Sequence, residues 1–163
     1  MIFPPIQPWD ALHPLVIHFP IALLVVAPLF LLLGMFLKRN ARAFALSALI
    51  LILLGTVGTY FAVETGEAGA RLVERTPEIN AVLEEHQELA EQTRLIFSIL
   101  TVVYAGLLFV PLLLKKELGL VWRLAAHGIF LLVYAGCLLS LADTAHLGGR
   151  LVHQLGVKAL IIP

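Results

Sequence analysis

Cysteine is nearly absent: Cys137 stands alone among 163 residues. A single thiol excludes an internal disulfide, a cysteine-rich zinc site and the two-cysteine attachment of c-type haem. Charge is scarce as well. Asp, Glu, Lys and Arg make up 13% of the chain, against about a quarter in a soluble domain, too little polar surface to cover a soluble globule. Neither sign prevails, since eleven basic residues face eleven acidic ones, so the basic face that nucleic acid requires is missing. There is no nucleophile elbow, P-loop, dinucleotide fingerprint or zinc-protease motif, and no independent hydrolytic or transferase chemistry is expected. What is plentiful is apolar surface: 60% of residues are hydrophobic and the mean hydropathy is +0.97, which excludes disorder.

Four apolar runs are long enough to cross a bilayer, at about 15–37, 43–63, 95–114 and 121–141. The first two are joined by a short basic loop at 38–42 and the last two by another at 115–120. Short loops impose antiparallel neighbours, so the expected fold is all-α, an up-down four-helix bundle in the membrane, one domain over 1–163 with hairpins at 11–75 and 77–153. The polar stretch between spans two and three is not read as a loop. Thr76-Pro77-Glu78 has a capping hydroxyl, a proline at the first helical position and an acid in the first turn. It predicts one helix from about 77 to 114 whose first four turns project about 20–25 Å beyond the hydrocarbon. Span two is expected to continue likewise through Arg71.

Lys38, Arg39, Arg42, Lys115, Lys116 and Arg123 gather at the two short loops. The positive-inside rule makes those loops cytoplasmic and turns both termini and the 64–94 segment outward, as in a bacterial inner membrane protein. The first run has no basic leader and is followed by stop-transfer charges, so it is read as a span and not as a cleaved signal.

The sequence repeats itself. Glu64-Thr65-Gly66-Glu67-Ala68-Gly69-Ala70-Arg71-Leu72-Val73-Glu74 reappears 79 residues later (143 against 64) as Asp143-Thr144-Ala145-His146-Leu147-Gly148-Gly149-Arg150-Leu151-Val152-His153. Both copies follow the second span of a hairpin, which predicts two pseudo-repeated hairpins about an axis along the membrane normal. Small residues recur every fourth position at Gly58, Ala62, Gly66 and Ala70, and again at Gly136, Ser140, Thr144 and Gly148. Such stripes let backbones approach closely; the alternative use of the glycines is to make room for a flat cofactor.

Of six histidines, only His127 lies near the cytoplasmic end. His13, His18, His86 and His146 come from three helix ends at similar depth, and ionisable groups near a bilayer are functional candidates. Pro20 is expected to kink the first span beside His18. His13 and His18 lie about 140° apart on a helix, too far around the axis to share one metal. Gly148-Gly149 puts helix continuity between His146 and His153 in question and equally suits close approach to a porphyrin.

Zinc or copper needs three or four converging ligands. Haem needs one or two axial imidazoles from facing helices, an apolar slot and cations for its propionates. His13, His18, His86 and His146, with Arg71, Arg150, Gly148 and Gly149, suit b-type haem better than a bare ion. The pseudo-symmetry pairs His13 with His86, and His18 with His146 is the competing pair. Glu64 and Asp143 are candidates for relaying protons beside the cluster.

The opening His13-Pro14-Leu15-Val16-Ile17-His18-Phe19-Pro20-Ile21, the closing Leu147-Gly148-Gly149-Arg150-Leu151-Val152 with Gly156-Val157, and His86 before span three resemble a widespread bacterial family. It is a four-helix integral-membrane domain of unknown function, found alone or fused to redox modules such as Rieske iron–sulfur domains. His153 stands where that family has an aromatic residue, and Leu155 close to where it has a histidine. The resemblance implies a redox setting. The expected role is a membrane redox subunit that binds b-type haem and passes electrons to a partner, a redox protein or a larger membrane complex, with a homo-oligomer as a further form of assembly. A cofactor-free assembly subunit and a copper- or zinc-binding membrane protein are the alternatives.

Overall fold

The computed structural model describes residues 8–115 and 119–158. After a 3-10 turn at Trp9–Ala11 come α1 (His13–Val16), α2 (His18–Phe36), a second 3-10 turn at Lys38–Asn40, α3 (Ala41–Ala70), α4 (Pro77–Leu113) and α5 (Leu120–His153). Four stretches are long and apolar enough to cross a membrane: α1 with α2, the 3-10 turn with α3, then α4 and α5. Neighbours pack in the order α2–α3–α4–α5, with α5 closing on α2. This is the up-down bundle expected from the short loops. Exposed Val102, Leu132 and Ile129 give it the apolar exterior of a protein that contacts lipid.

Proline placement shapes the first span. Pro20 has no N–H to return to the carbonyl four residues back, and the helix is interrupted at Ile17, between α1 and α2. Pro28, inside α2, leaves the Leu24 carbonyl without its helical donor. The Tyr134 hydroxyl of α5 donates to that carbonyl at 2.9 Å, so a missing bond in one helix ties another to it. Tyr134 is fully buried, 5.4 Å edge-on from Phe97. Tyr134→Phe keeps the ring and orphans the carbonyl. The expected loss is about 1–2 kcal/mol, read as a lower thermal midpoint in detergent; an unchanged midpoint would contradict the role given to this hydroxyl.

α4 begins as its sequence dictates: the Thr76 hydroxyl accepts from the Ile79 N–H at 3.2 Å, with Pro77 next in the chain. Its 37 residues span about 55 Å, well beyond a hydrocarbon core of about 30 Å. α3 ends at Ala70, one residue short of the expected limit. α5 runs unbroken through Gly148 and Gly149 to His153. Two helical glycines cost roughly 1 kcal/mol each, and buried Leu147 and Leu151, in a cluster with Val82 and Leu83 of α4, hold the turn between them.

Buried hydroxyls knit the helices. Thr56 of α3 meets Thr101 of α4 at 2.9 Å. Thr93 of α4 meets Ser140 at 2.7 Å and Thr144 at 3.0 Å, both on α5. With little hydrophobic drive between helices in lipid, such bonds and small-residue contacts hold the bundle. The basic residues Lys38, Arg39, Arg42 and Arg123 lie at one end of the bundle. The opposite end carries His13, His86, His146 and His153 and is called the histidine end below.

Candidate functional site

At the histidine end two imidazoles face each other across the bundle. His13 starts α1, and its Nδ1–H donates to the Ala62 carbonyl of α3 at 2.9 Å. His86 lies nine residues into α4, and its Nδ1–H donates to the Thr144 carbonyl of α5 at 3.0 Å. A carbonyl only accepts, so each neutral ring carries its proton on Nδ1 and keeps the Nε2 lone pair free. The ring centres are 6.4 Å apart and the planes cross at 82°. α1 and α4 do not themselves approach each other; the rings bridge the interior.

Each ring rests on a glycine. A Cβ at Gly66 would come within 3.0 Å of His13 Cε1, and one at Gly148 within 3.2 Å of His86 Cε1. In both cases the glycine stands four residues after the carbonyl that accepts from the ring. These seats repeat at a spacing of 82 (144 against 62, 148 against 66), and not at the 79 of the sequence motif. Gly66 and Gly148 therefore make room for the imidazoles themselves, while Gly58 of the same stripe makes room for Pro20. The Thr93, Ser140 and Thr144 hydroxyls brace α4 against α5 directly beside the carbonyl that holds His86.

The pair lines a cavity of about 730 Å³ that also takes in His18, Gly149, Leu141 and Lys158. Its walls come from the N-terminal segment and from every helix. His18 is an exposed side chain on this cavity's edge.

The other sequence candidates stand elsewhere. His146 is exposed and outside the cavity. Two residues from Gly148 is about 200° around a helix, so it projects away from the His86 seat. Arg150 departs by the same angle in the other direction, and its Nε–H reaches Gln154 at 3.4 Å. Arg71 lines a neighbouring polar recess with Arg75, Glu67 and Glu91. Among the described residues, the Lys or Arg that does line the cavity is Lys158. Glu64 and Asp143 are exposed and do not line it; Asp10, Glu67 and Glu74 do. His153 is exposed at the cavity margin, and His127 lies at the basic end, its Nδ1–H donating to the Arg123 carbonyl at 2.9 Å. Among the described residues, no three His, Cys, Asp or Glu side chains form a group that would hold a metal ion.

Nearly the whole chain, residues 9–160, matches the model of a family described as a predicted membrane protein, DUF2231. No curated protein and no solved structure matches. The chain belongs to the DUF2231 family.

Proposed function

We propose that this DUF2231 member is a membrane redox subunit that holds one b-type haem between His13 and His86. The observation that carries the reading is the ligand count. Two imidazoles lie side by side, and among the described residues no third ligating side chain is grouped with them. That is too few for zinc or copper held by protein alone. It is the number required by a metal that brings four equatorial nitrogens of its own. His13 and His86 would hold the group, their ring centres being 6.4 Å apart. The cavity of about 730 Å³ lies within the range of cofactor pockets.

The chain's own residues do the positioning. The Ala62 and Thr144 carbonyls hold the tautomers that leave Nε2 unprotonated, and accepting from Nδ1–H makes Nε2 a stronger donor to a metal. Gly66 and Gly148 leave space for the rings. Lys158, in place of Arg71 or Arg150, would meet an anionic edge. When bound, the haem supplies reversible one-electron chemistry. The basic loops favour an outward-facing histidine end in a bacterial inner membrane. The electron partner we propose is a redox protein. We further propose that the two hairpins are related by pseudo-symmetry, each supplying one imidazole.

The reading is tested by haem content per chain after purification from haem-supplied cells. About one haem per chain is expected, and His146→Ala should leave both content and spectrum unchanged because that ring points away from the cavity. Loss of haem in His146→Ala would overturn the assignment of ligands.

A further inference from the structure

Away from the histidine cavity, the outer flank between α3 and α4 changes character at one level on both helices. The apolar run of α3 ends at Val63 and Glu64 follows it; the run of α4 begins at Leu95 and Arg94 precedes it. At that level the Tyr60 hydroxyl lies 3.1 Å from Ser98 Oγ, and the Arg94 guanidinium stands over the Tyr60 ring, 5.1 Å from its centre. Ser98 donates to the Arg94 carbonyl at 2.7 Å, so the Tyr60 O–H donates to Ser98 and holds the ring under the cation. A cation–π contact consumes none of the guanidinium's N–H donors. Toward the middle of the membrane, Val57 and Leu53 continue the α3 ridge below Tyr60, and Val102 continues the α4 ridge below Ser98; all three are exposed. In the other direction, one turn farther out, stand exposed Glu64 on α3 and exposed Glu91 on α4.

We propose that this flank binds a phosphatidylethanolamine of the leaflet at the histidine end, its phosphate on Arg94, its ammonium beside Glu64 and Glu91, and an acyl chain along Leu53, Val57 and Val102. The order of charges selects this occupant. A guanidinium takes a phosphate through two parallel N–H bonds, and at the edge of the hydrocarbon the phosphate at hand is that of a phospholipid. Two carboxylates one turn farther out repel a headgroup that is anionic throughout and attract one that ends in a cation. A helical turn rises about 5.4 Å, a span that the two-carbon arm between phosphate and ammonium can cover. Beyond the carboxylates lies the polar recess that Glu67 and Gln87 share with Glu91. Its cations stand farther out: Arg71 is two turns beyond Glu64, and Arg75 donates to Asn80 Oδ1 at 3.1 Å and to the Ala70 carbonyl at 3.0 Å.

The test is native mass spectrometry of the full chain in detergent, with equal amounts of phosphatidylethanolamine and phosphatidylglycerol carrying the same acyl chains. One bound phosphatidylethanolamine is expected, favoured at least threefold over phosphatidylglycerol. Arg94→Gln should lower binding of both lipids about fivefold. Glu64→Gln combined with Glu91→Gln should instead reverse the preference, an outcome that misfolding does not produce. Three results overturn the proposal: a preference for phosphatidylglycerol in the unaltered chain, a preference for phosphatidylethanolamine that survives the paired glutamines, and equal occupancy that no variant alters, as for ordinary annular lipid. Tyr60, Glu64, Glu91, Arg94 and Ser98 all lie outside the lining of the histidine cavity, so haem content has no bearing on the result.

Discussion

Alanine at His13 or at His86 is expected to lower haem content at least tenfold while the bundle stays folded. His13 and His86 would together hold the haem, and nothing covalent would retain the group once one is gone. The fold is expected to survive for a local reason. Ala62 and Thr144 lie inside the unbroken helices α3 and α5, so their carbonyls keep helical donors when the ring N–H is removed. The measurement is haem per chain beside helical content and elution volume in detergent. Retained haem in both variants, with unchanged spectra, would contradict the assignment of these rings.

The second large effect comes from adding a single methyl group. Gly66→Ala would put a Cβ 3.0 Å from His13 Cε1, and Gly148→Ala one 3.2 Å from His86 Cε1. Each ring is pinned through Nδ1 to a helix carbonyl, and a Cβ at Gly66 would also stand 3.1 Å from His13 Nδ1 itself, so the added carbon either tilts the ring or breaks that bond. A shift of a few tenths of an ångström redirects Nε2, and haem retention is expected to fall about tenfold, since the productive geometry tolerates roughly 0.5 Å. Gly149→Ala is the matched control. A Cβ there meets nothing within 4 Å, and replacing a helical glycine by alanine favours the helix by roughly 1 kcal/mol. Equal retention in Gly148→Ala and Gly149→Ala would contradict the seat assigned to Gly148.

The spans, the short-loop pairing and the long α4 were legible because each rests on a local rule. Hydrophobic length marks a span, and Thr76-Pro77-Glu78 marks a helix start. The His13–His86 pair was legible only as one of two alternatives, because choosing required knowing which helix faces point inward. The arithmetic of about 100° per residue would have separated His146, Arg150 and Asp143 from Gly148 had Gly148 been recognised as the seat of a ring. The small-residue stripes already contained the relevant spacing of 82, while the more conspicuous Thr-Gly-Arg-Leu-Val repeat pointed to 79. The carbonyls of Ala62 and Thr144 left no sequence signal, since every residue has one. Tyr134 was not foreseen either; its clue is Pro28, which orphans the Leu24 carbonyl and so calls for a donor from another helix.

The most direct test of the central claim, that two facing imidazoles hold a haem, is the absorption spectrum of the detergent-solubilised protein from haem-supplied cells, before and after dithionite. The account expects a Soret band that shifts on reduction. Colourless protein that takes up no haem on titration would contradict it.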